Sequence, residues 1–333
     1  MKAIVLDGFG GLDNFRLADI EMPVMKAEEV LIQIKAAAFN PIDYQMRLGR
    51  REKHRMTSPI LGRELSGVII AVGDLVRGFQ AGDEVLAASG SMGSNGSYAE
   101  YMALNPKMIA HKPSNISFEE AAAIPSAGLT AWQCFKRMDV KPGQSVFITG
   151  GSGAVGSFLI RILKQQGIHQ IITTAGNRRS MEALFALGLD EHNVIDYKTA
   201  HLKDQVIAAN GGKSFDFAVE IVGGESSELA AEVLRVNGIY LDVTFLGTEQ
   251  ARGVLFDKGC IVVNISNYAY ILDNNMMYYE ETLRQVVDLI EENKISPPAI
   301  NIVGELSIKT VQEAHSLMEN NQVHGKKIVM KIS

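Results

Sequence analysis

Val146-Phe147-Ile148-Thr149-Gly150-Gly151-Ser152-Gly153-Ala154-Val155-Gly156 decides the fold of this chain. Four apolar or β-branched residues run straight into a cluster of glycines. Behind the glycines, Val155, Phe158, Leu159 and Ile162 recur at the spacing of an amphipathic helix. Gly151, Gly153 and Gly156 form G-x-G-x-x-G, and Gly150 adds an overlapping G-x-x-G-x-x-G. Glycines permit a tight turn, close approach of backbone to a pyrophosphate, and close packing of helix on strand. The free N–H groups at the helix start then face the phosphates. A glycine triplet by itself is as often a plain turn. Its place between a buried strand and a well-formed helix makes it a dinucleotide site, with Gly151, Ser152, Gly153, Ala154, Val155 and Gly156 as the cradle.

Downstream, strands alternate with helices. The pattern predicts strands at 145–149, 170–174, 215–221, 239–244 and 261–265, with helices near 154–166, 178–187, 201–209 and 225–235. Such βαβ alternation implies a doubly wound parallel sheet with ligand at the carboxyl ends of its strands, a Rossmann arrangement within the α/β class. Leu283, Val286, Val287 and Ile290 mark one face of a later helix, and a short helix is expected at 310–319. Upstream of residue 126 the texture differs. Val30, Ile32 and Ile34 alternate on one face, 67–72 and 84–87 are short apolar runs, and frequent glycines punctuate them. That is the texture of a compact β-rich domain. A lone final strand at 327–332 needs a sheet to pair with and is expected to return to this first domain.

Length and composition narrow the function. The 333 residues suit about two domains, and 47% apolar content supports a sizeable core. The net charge of −6, without a long basic run, argues against nucleic acid or acidic lipid as partner. No apolar run of about 18 residues exists to span a membrane, and the apolar stretch at the start is too short for a signal peptide. The two cysteines, Cys134 and Cys260, lie far apart and fit a reduced, cytoplasmic compartment rather than a disulfide framework.

An NAD site places an acidic residue about 20 residues past the glycine turn to hold the ribose hydroxyls. Here Thr173 to Ser180 contains none, and the first carboxylate is Glu182. Asn177 is a candidate helix cap, which puts Arg178 and Arg179 in a first turn where the helix dipole disfavours cations. A 2′-phosphate turns that penalty into a gain, so the cofactor expected is NADPH. The alternative is a pair of solvated surface arginines. Tyr197 is a second candidate for the same phosphate, or else a partly buried ring.

Several segments resemble the medium-chain dehydrogenase/reductase superfamily. They are Asn40-Pro-Ile-Asp-Tyr-Gln-Met-Arg-Leu-Gly49, Pro59-Ile-Leu-Gly-Arg-Glu-Leu-Ser-Gly67, Gly82-Asp-Glu-Val85, Gly96-Ser-Tyr-Ala-Glu-Tyr101, Glu120-Ala-Ala-Ala-Ile-Pro125, Gly128-Leu-Thr-Ala131, Ala314-His-Ser-Leu-Met318 and Gly325-Lys326. The joint pattern is similar to the zinc-independent quinone oxidoreductase branch, near its alkenal and enone reductases. That resemblance implies a GroES-like catalytic domain from 1–125 and 270–333, a Rossmann domain at 126–269, and an active site in the cleft. It also implies a homodimer formed through an edge strand, whose counterpart here is Cys260 to Ser266, unless that edge is blocked some other way. By resemblance Thr130 lies near the nicotinamide, unless it caps a helix start. Gly223, Thr244, Phe245 and Leu246 line the nicotinamide ribose, unless the two apolar residues simply fill core. Lys326 joins the cofactor-binding set.

Zinc-dependent relatives carry cysteine where this chain has Asn40 and Gly-His-Glu where it has Gly62-Arg63-Glu64. Zinc sites are built from Cys, His or carboxylate, so no metal is expected. The chemistry left is hydride transfer from NADPH to a small molecule, a quinone or an α,β-unsaturated carbonyl. Asn40 can donate its amide to the developing oxyanion or the cofactor, and Tyr44 a hydrogen bond or a proton. Arg63 adds positive potential or pairs with Glu64 or another carboxylate. Asp43 reads as holding the Asn-Pro loop by its backbone, and Gln45 stands where enone-reducing relatives often have lysine. Pocket shape is set by Tyr44, the 50–57 and 90–96 loops, and the 268–279 segment. Two rivals remain. A 2-enoyl thioester reductase would use the basic stretch Arg50, Arg51, Lys53, His54 and Arg55, which is otherwise a solvated loop. An NADPH-binding protein with a regulatory or RNA-binding role and low turnover is the second.

Overall fold

A computed structural model describes residues 1–90 and 92–333, and of residues 51 and 52 the backbone alone. Position 91, within the 90–96 loop, and the Arg51 side chain of the basic stretch lie outside the described residues. The chain divides into two units, Met1–Ser126 with Asp273–Ser333, and Ala127–Leu272.

The second unit is a six-stranded, wholly parallel sheet. Its order is Val194–Asp196, Ile171–Ala175, Val146–Ile148, Phe215–Glu220, Leu234–Asp242, Ile261–Asn264. Strand order reverses between Val146–Ile148 and Phe215–Glu220, the switch point at which such sheets take ligand. Phe147, Ile172, Phe215, Ala218, Leu234 and Tyr240 form a buried cluster on one side of the sheet, with the Phe147 and Phe215 ring centroids 5.6 Å apart. The helix behind the glycine turn runs Ala154–Gln165 and buries Phe158, Leu159 and Ile162 of the stripe that its spacing predicts, while Val155 at its start stays partly exposed.

Four elements from Pro125 to Leu272 escape the periodicity, two of them the helices Pro125–Met138 and Tyr268–Leu272. Val194–Asp196 has three residues, too few to show a repeat. Helix Glu249–Asp257 buries only Ala251 and Leu255, so its apolar stripe is thin. Its start is marked instead by Thr248, whose side chain accepts the Ala251 N–H at 3.1 Å. The helix expected at 225–235 stops at Val233, because Leu234 already pairs with Phe215 as strand.

In the first unit, one sheet has the order Ile300–Glu305, Lys327–Lys331, Val30–Ala38, Glu64–Val72, Glu84–Ala87, Ile109–His111, with Tyr101–Leu104 also paired to Val30–Ala38. Lys2–Leu6 and Phe15–Asp19 form a separate antiparallel pair. Val30, Ile32 and Ile34 are fully buried, as their alternation requires. The C-terminal strand does return to this sheet. It runs antiparallel to Val30–Ala38, pairing Val329 with Ala38, and Phe39 N–H donates to Ile328 O at 3.0 Å. That register brings residue 327 beside residue 40. Among the described residues no helix is long and apolar enough to cross a membrane.

Candidate active site

Asn40 lies just beyond strand Val30–Ala38 and caps helix Pro41–Arg47. Proline suits the first helical position, where no N–H is needed. Asp43 reaches back, its Oδ2 accepting the Asn40 N–H at 2.8 Å, so the loop-holding role read for it is seen directly. The Asn40 side chain is 9% exposed and engaged at both ends. Its Nδ2 donates to Glu64 Oε1 at 2.8 Å, and its Oδ1 accepts from Lys327 Nζ at 2.6 Å. Lys327 Nζ also lies 2.5 Å from Glu64 Oε1, and Glu64 Oε2 accepts the Ser126 N–H at 2.7 Å. Glu64 and Lys327 are 0% and 5% exposed. A carboxylate and an ammonium out of water are tolerated because each charge is paired and hydrogen-bonded.

This cluster bears on two expectations. The Asn40 amide is not wholly free to donate, since its oxygen and one N–H are spent on Lys327 and Glu64. The inward lysine is Lys327, whereas Lys326 is exposed. The strand Lys327–Lys331 is buried at four consecutive positions, so only its register against Val30–Ala38 singles out Lys327.

Around the cluster, burial pushes the Asp43 carboxyl up to about 6, against the lowering pull of the Asn40 N–H and of Arg63 and Lys327. Arg63 Nη1 contacts Met46 Sδ at 3.7 Å and lines a small cavity with Met46, Thr57, Ser58, Gly90 and Asn95. Glu64, offered by the sequence as its partner, is committed to Lys327. Tyr44 is half-buried, and its hydroxyl has no hydrogen-bond partner among the described residues. The basic stretch forms a short turn over 51–55, where the Lys53 ammonium sits 5.6 Å from the Phe9 ring centroid.

In the second unit, the glycine turn fits a dinucleotide on steric grounds. A Cβ at Gly151 would meet Thr173 Oγ1 at 2.3 Å, and one at Gly156 would meet Gly150 O at 2.5 Å. Those two glycines are needed by packing. A Cβ at Gly153 would meet only Gly150 O, at 3.3 Å, so that side of the turn is open. Ser152, Ala154 and Val155 are partly exposed at the helix start.

A second corner lies at the ends of Ile171–Ala175 and Val194–Asp196. Asn177 Oδ1 accepts the Ser180 N–H at 2.9 Å, the expected cap. The arginine pair divides: Arg178 Nε holds Glu182 Oε1 at 2.8 Å, one helical turn on, while Arg179 is exposed with no ion pair among the described residues. The Tyr197 ring covers the Gly176 backbone so closely that a Cβ there would fall 1.9 Å from Tyr197 Cζ. Arg179 and Tyr197 thus flank one turn.

Thr130 lies inside helix Pro125–Met138, and its Oγ1 accepts from Asn267 Nδ2 at 3.1 Å, so it is not a helix-start cap. Phe245 and Leu246 are 57% and 53% exposed and do not fill core. Gly224 N–H donates to Leu246 O at 2.9 Å, tying the Gly223 turn to the Thr244–Leu246 turn. The sequence reading missed Glu220, a fully buried carboxylate beneath both turns.

Among the described residues no group of three or more His, Cys, Asp or Glu is placed to hold a metal ion. Cys134 is sealed in the core, where burial pushes its thiol up to about 12.

Comparison with known proteins agrees with this architecture. Residues 26–114 match the alcohol dehydrogenase GroES-like domain, and residues 187–329 match the zinc-binding dehydrogenase family. A 2-methylene-furan-3-one reductase of Solanum lycopersicum is 30% identical, over 100% of this chain and 79% of that protein. An NADPH-dependent alkenal/one oxidoreductase, chloroplastic, of Arabidopsis thaliana is 29% identical, over 100% and 80%. The solved quinone oxidoreductase of Coxiella burnetii superposes with a TM-score of 0.83 at 29% identity, over 100% and 99%. The chain belongs to the medium-chain dehydrogenase/reductase superfamily of oxidoreductases, within the branch that holds quinone oxidoreductases and alkenal/enone reductases.

Proposed function

We propose that this protein is an NADPH-dependent reductase that passes hydride to a quinone or to the activated C=C of an α,β-unsaturated carbonyl without a metal. The observation that carries the reading is the Asn40–Glu64–Lys327 cluster. At the position where zinc-dependent relatives have a thiolate ligand, this chain has an amide whose oxygen is held by an ammonium. Arg63 replaces the histidine. Two fixed cations and an occupied amide do not suit a zinc ion. Hydride chemistry on an already electrophilic substrate needs no Lewis acid, and the names of the relatives support that substrate class.

When bound, the nicotinamide supplies the hydride, and the protein supplies orientation and electrostatics. Gly151, Ser152, Gly153, Ala154, Val155 and Gly156 form the pyrophosphate cradle, with Gly153 as the open face. Asn177, Arg179 and Tyr197 hold the adenosine end and its 2′-phosphate, and Arg178 contributes charge while tied to Glu182. Thr130, Gly223, Thr244, Phe245 and Leu246 serve the nicotinamide end. Lys327 serves through Asn40, and Lys326, exposed beside it, adds a charge for the cofactor.

Charge develops on the substrate oxygen during transfer, and preoriented donors lower that barrier. The second Asn40 amide N–H, the Tyr44 hydroxyl and the Arg63 guanidinium are the donors. The Glu64–Lys327 pair fixes which way the amide faces. The exposed edge of Ile261–Asn264, with Ile261 and Val262 outward, supports assembly as a homodimer.

The test follows NADPH oxidation with 9,10-phenanthrenequinone and with trans-2-hexenal, each beside an NADH control and with EDTA present. Turnover by NADPH that EDTA leaves unchanged is the expected result. Turnover only with crotonyl-CoA would transfer the protein to the enoyl thioester reductases. Loss of activity in EDTA, restored by zinc, would overturn the metal-free reading.

A further inference from the structure

Glu220 ends strand Phe215–Glu220 at the centre of the parallel sheet. Its carboxylate is fully buried and has no ion-pair partner among the described residues. It is satisfied by four donors instead. Oε1 accepts from Val222 N at 2.8 Å, Gly223 N at 2.5 Å and Thr149 Oγ1 at 3.3 Å, and Oε2 from Thr244 Oγ1 at 3.1 Å. Burying a carboxylate is costly unless hydrogen bonds to the charged form replace water. An aliphatic side chain would leave these donors unpaired and an amide would set an NH2 against them, so the turns and the carboxylate are matched to each other.

The donors come from three different loops at the ligand-bearing edge. Thr149 opens the glycine turn, and its Oγ1 in turn accepts the Ile221 N–H at 2.9 Å. Val222 and Gly223 are the turn after Glu220 itself. Thr244 opens the turn after strand Leu234–Asp242, and its Oγ1 accepts the Leu246 N–H at 3.2 Å.

These turns are not conformations the chain would choose unaided. Gly223 has φ +88°, and Phe245, a bulky residue, has φ +58°. A Cβ at Gly223 would lie 2.5 Å from Leu246 Cβ, so the turns interlock. The result is that Phe245 and Leu246 stand exposed and apolar on a backbone fixed from below.

We propose that Glu220 is a positioning residue for the nicotinamide half of the cofactor, acting through Gly223 and Thr244 to hold two turns in their bound shape before the cofactor arrives. The inference rests on the reductase reading given above. Pre-forming a strained loop removes its ordering cost from binding. None of the four hydrogen bonds reaches the Gly176–Arg179 corner, so the adenosine half is held independently.

The separation gives the test. Dissociation constants of NADPH and of 2′,5′-ADP, which carries only the adenosine half, are measured for the intact protein, Glu220→Gln and Thr244→Val. Glutamine keeps the size but sets an NH2 against a ring of donors. The expected result is NADPH weakened about tenfold or more in Glu220→Gln and about threefold in Thr244→Val, with 2′,5′-ADP within about twofold in both. Equal weakening of both ligands would mean general loosening and overturn the proposal, as would unchanged NADPH affinity. If Glu220→Gln does not fold, Thr244→Val decides by the same comparison. Failure of the intact protein to bind either ligand would instead sink the cofactor reading itself.

Discussion

Lys327 donates its ammonium to the side-chain oxygen of Asn40 at 2.6 Å, joining the last strand of the chain to the first helix of its sheet domain. The same ammonium neutralises Glu64, so one lysine both orients the amide and compensates a buried charge. Removing one member of a buried pair strands the other, at a cost of about 3–5 kcal/mol. Lys327→Met should therefore lose about that much stability in urea denaturation. The double variant Glu64→Gln/Lys327→Met should recover most of it. If it also remains a poor reductase, the loss lies in the unfixed Asn40 amide rather than in folding.

The parallel sheet was legible because its signal is local. Strands Val146–Ile148, Ile171–Ala175 and Phe215–Glu220 are each a short apolar run followed by a helix, and the glycine turn marks the first crossover. Asn177 as a cap was legible for the same reason. Lys327 was not, because its meaning depends on pairing across nearly the whole chain, and the neighbouring Lys326 is the same residue type. Glu220 carries no local mark of its role, since its four donors come from three separate loops. The split between Arg178 and Arg179 depends on Glu182 lying four residues after Arg178, a pairing that competes with a phosphate for that guanidinium.

Cofactor preference should depend on Arg179 more than on Arg178. The Arg178 guanidinium is already bonded to Glu182, while Arg179 is exposed beside the Tyr197 turn with no ion pair among the described residues. Arg179→Ala should lower the ratio of kcat/KM for NADPH over NADH by about tenfold, the worth of one charge-assisted hydrogen bond. Arg178→Ala should lower it less. The NADH value itself should barely change in either variant, and a parallel fall with both cofactors would remove Arg179 from the 2′-phosphate.

The glycines of the turn should fail in two different ways. Gly156→Ala forces a methyl within 2.5 Å of Gly150 O and 2.7 Å of Gly151 Cα, which must move. A destabilisation of about 1–3 kcal/mol is expected, visible as a lower Tm without any cofactor. Gly153→Ala meets only one atom, at 3.3 Å. It should keep nearly the native Tm and still bind NADPH more weakly, because its methyl enters the space the pyrophosphate needs. Thermal melts with and without NADPH separate the two cases.

The pH dependence of stability should contain two opposed contributions from neighbouring buried groups. Burial raises Asp43 from 3.8 to about 6, with Arg63, Lys327 and the Asn40 N–H pulling it down and Glu64 pushing it up. Its folded state therefore binds the proton more tightly than the unfolded chain. That contribution is complete below pH 3.8 and lost as pH rises through about 6, amounting to about 3 kcal/mol. Burial and Arg47 lower His315 from 6.5 to about 3, where its Nε2 lies 3.2 Å from the Tyr98 hydroxyl. Here the unfolded chain binds the proton more tightly, so stability is complete above pH 6.5 and lost as pH falls toward 3. Asp43→Asn retains an acceptor for the Asn40 N–H and removes only the first contribution. Between pH 4 and pH 6, roughly the span where both groups titrate, its stability should rise with pH more steeply than that of the native protein. His315→Gln should do the reverse, turning the native slope downward. Urea midpoints measured across that range decide the matter, and parallel profiles for all three proteins would show that neither group titrates between the folded and unfolded states.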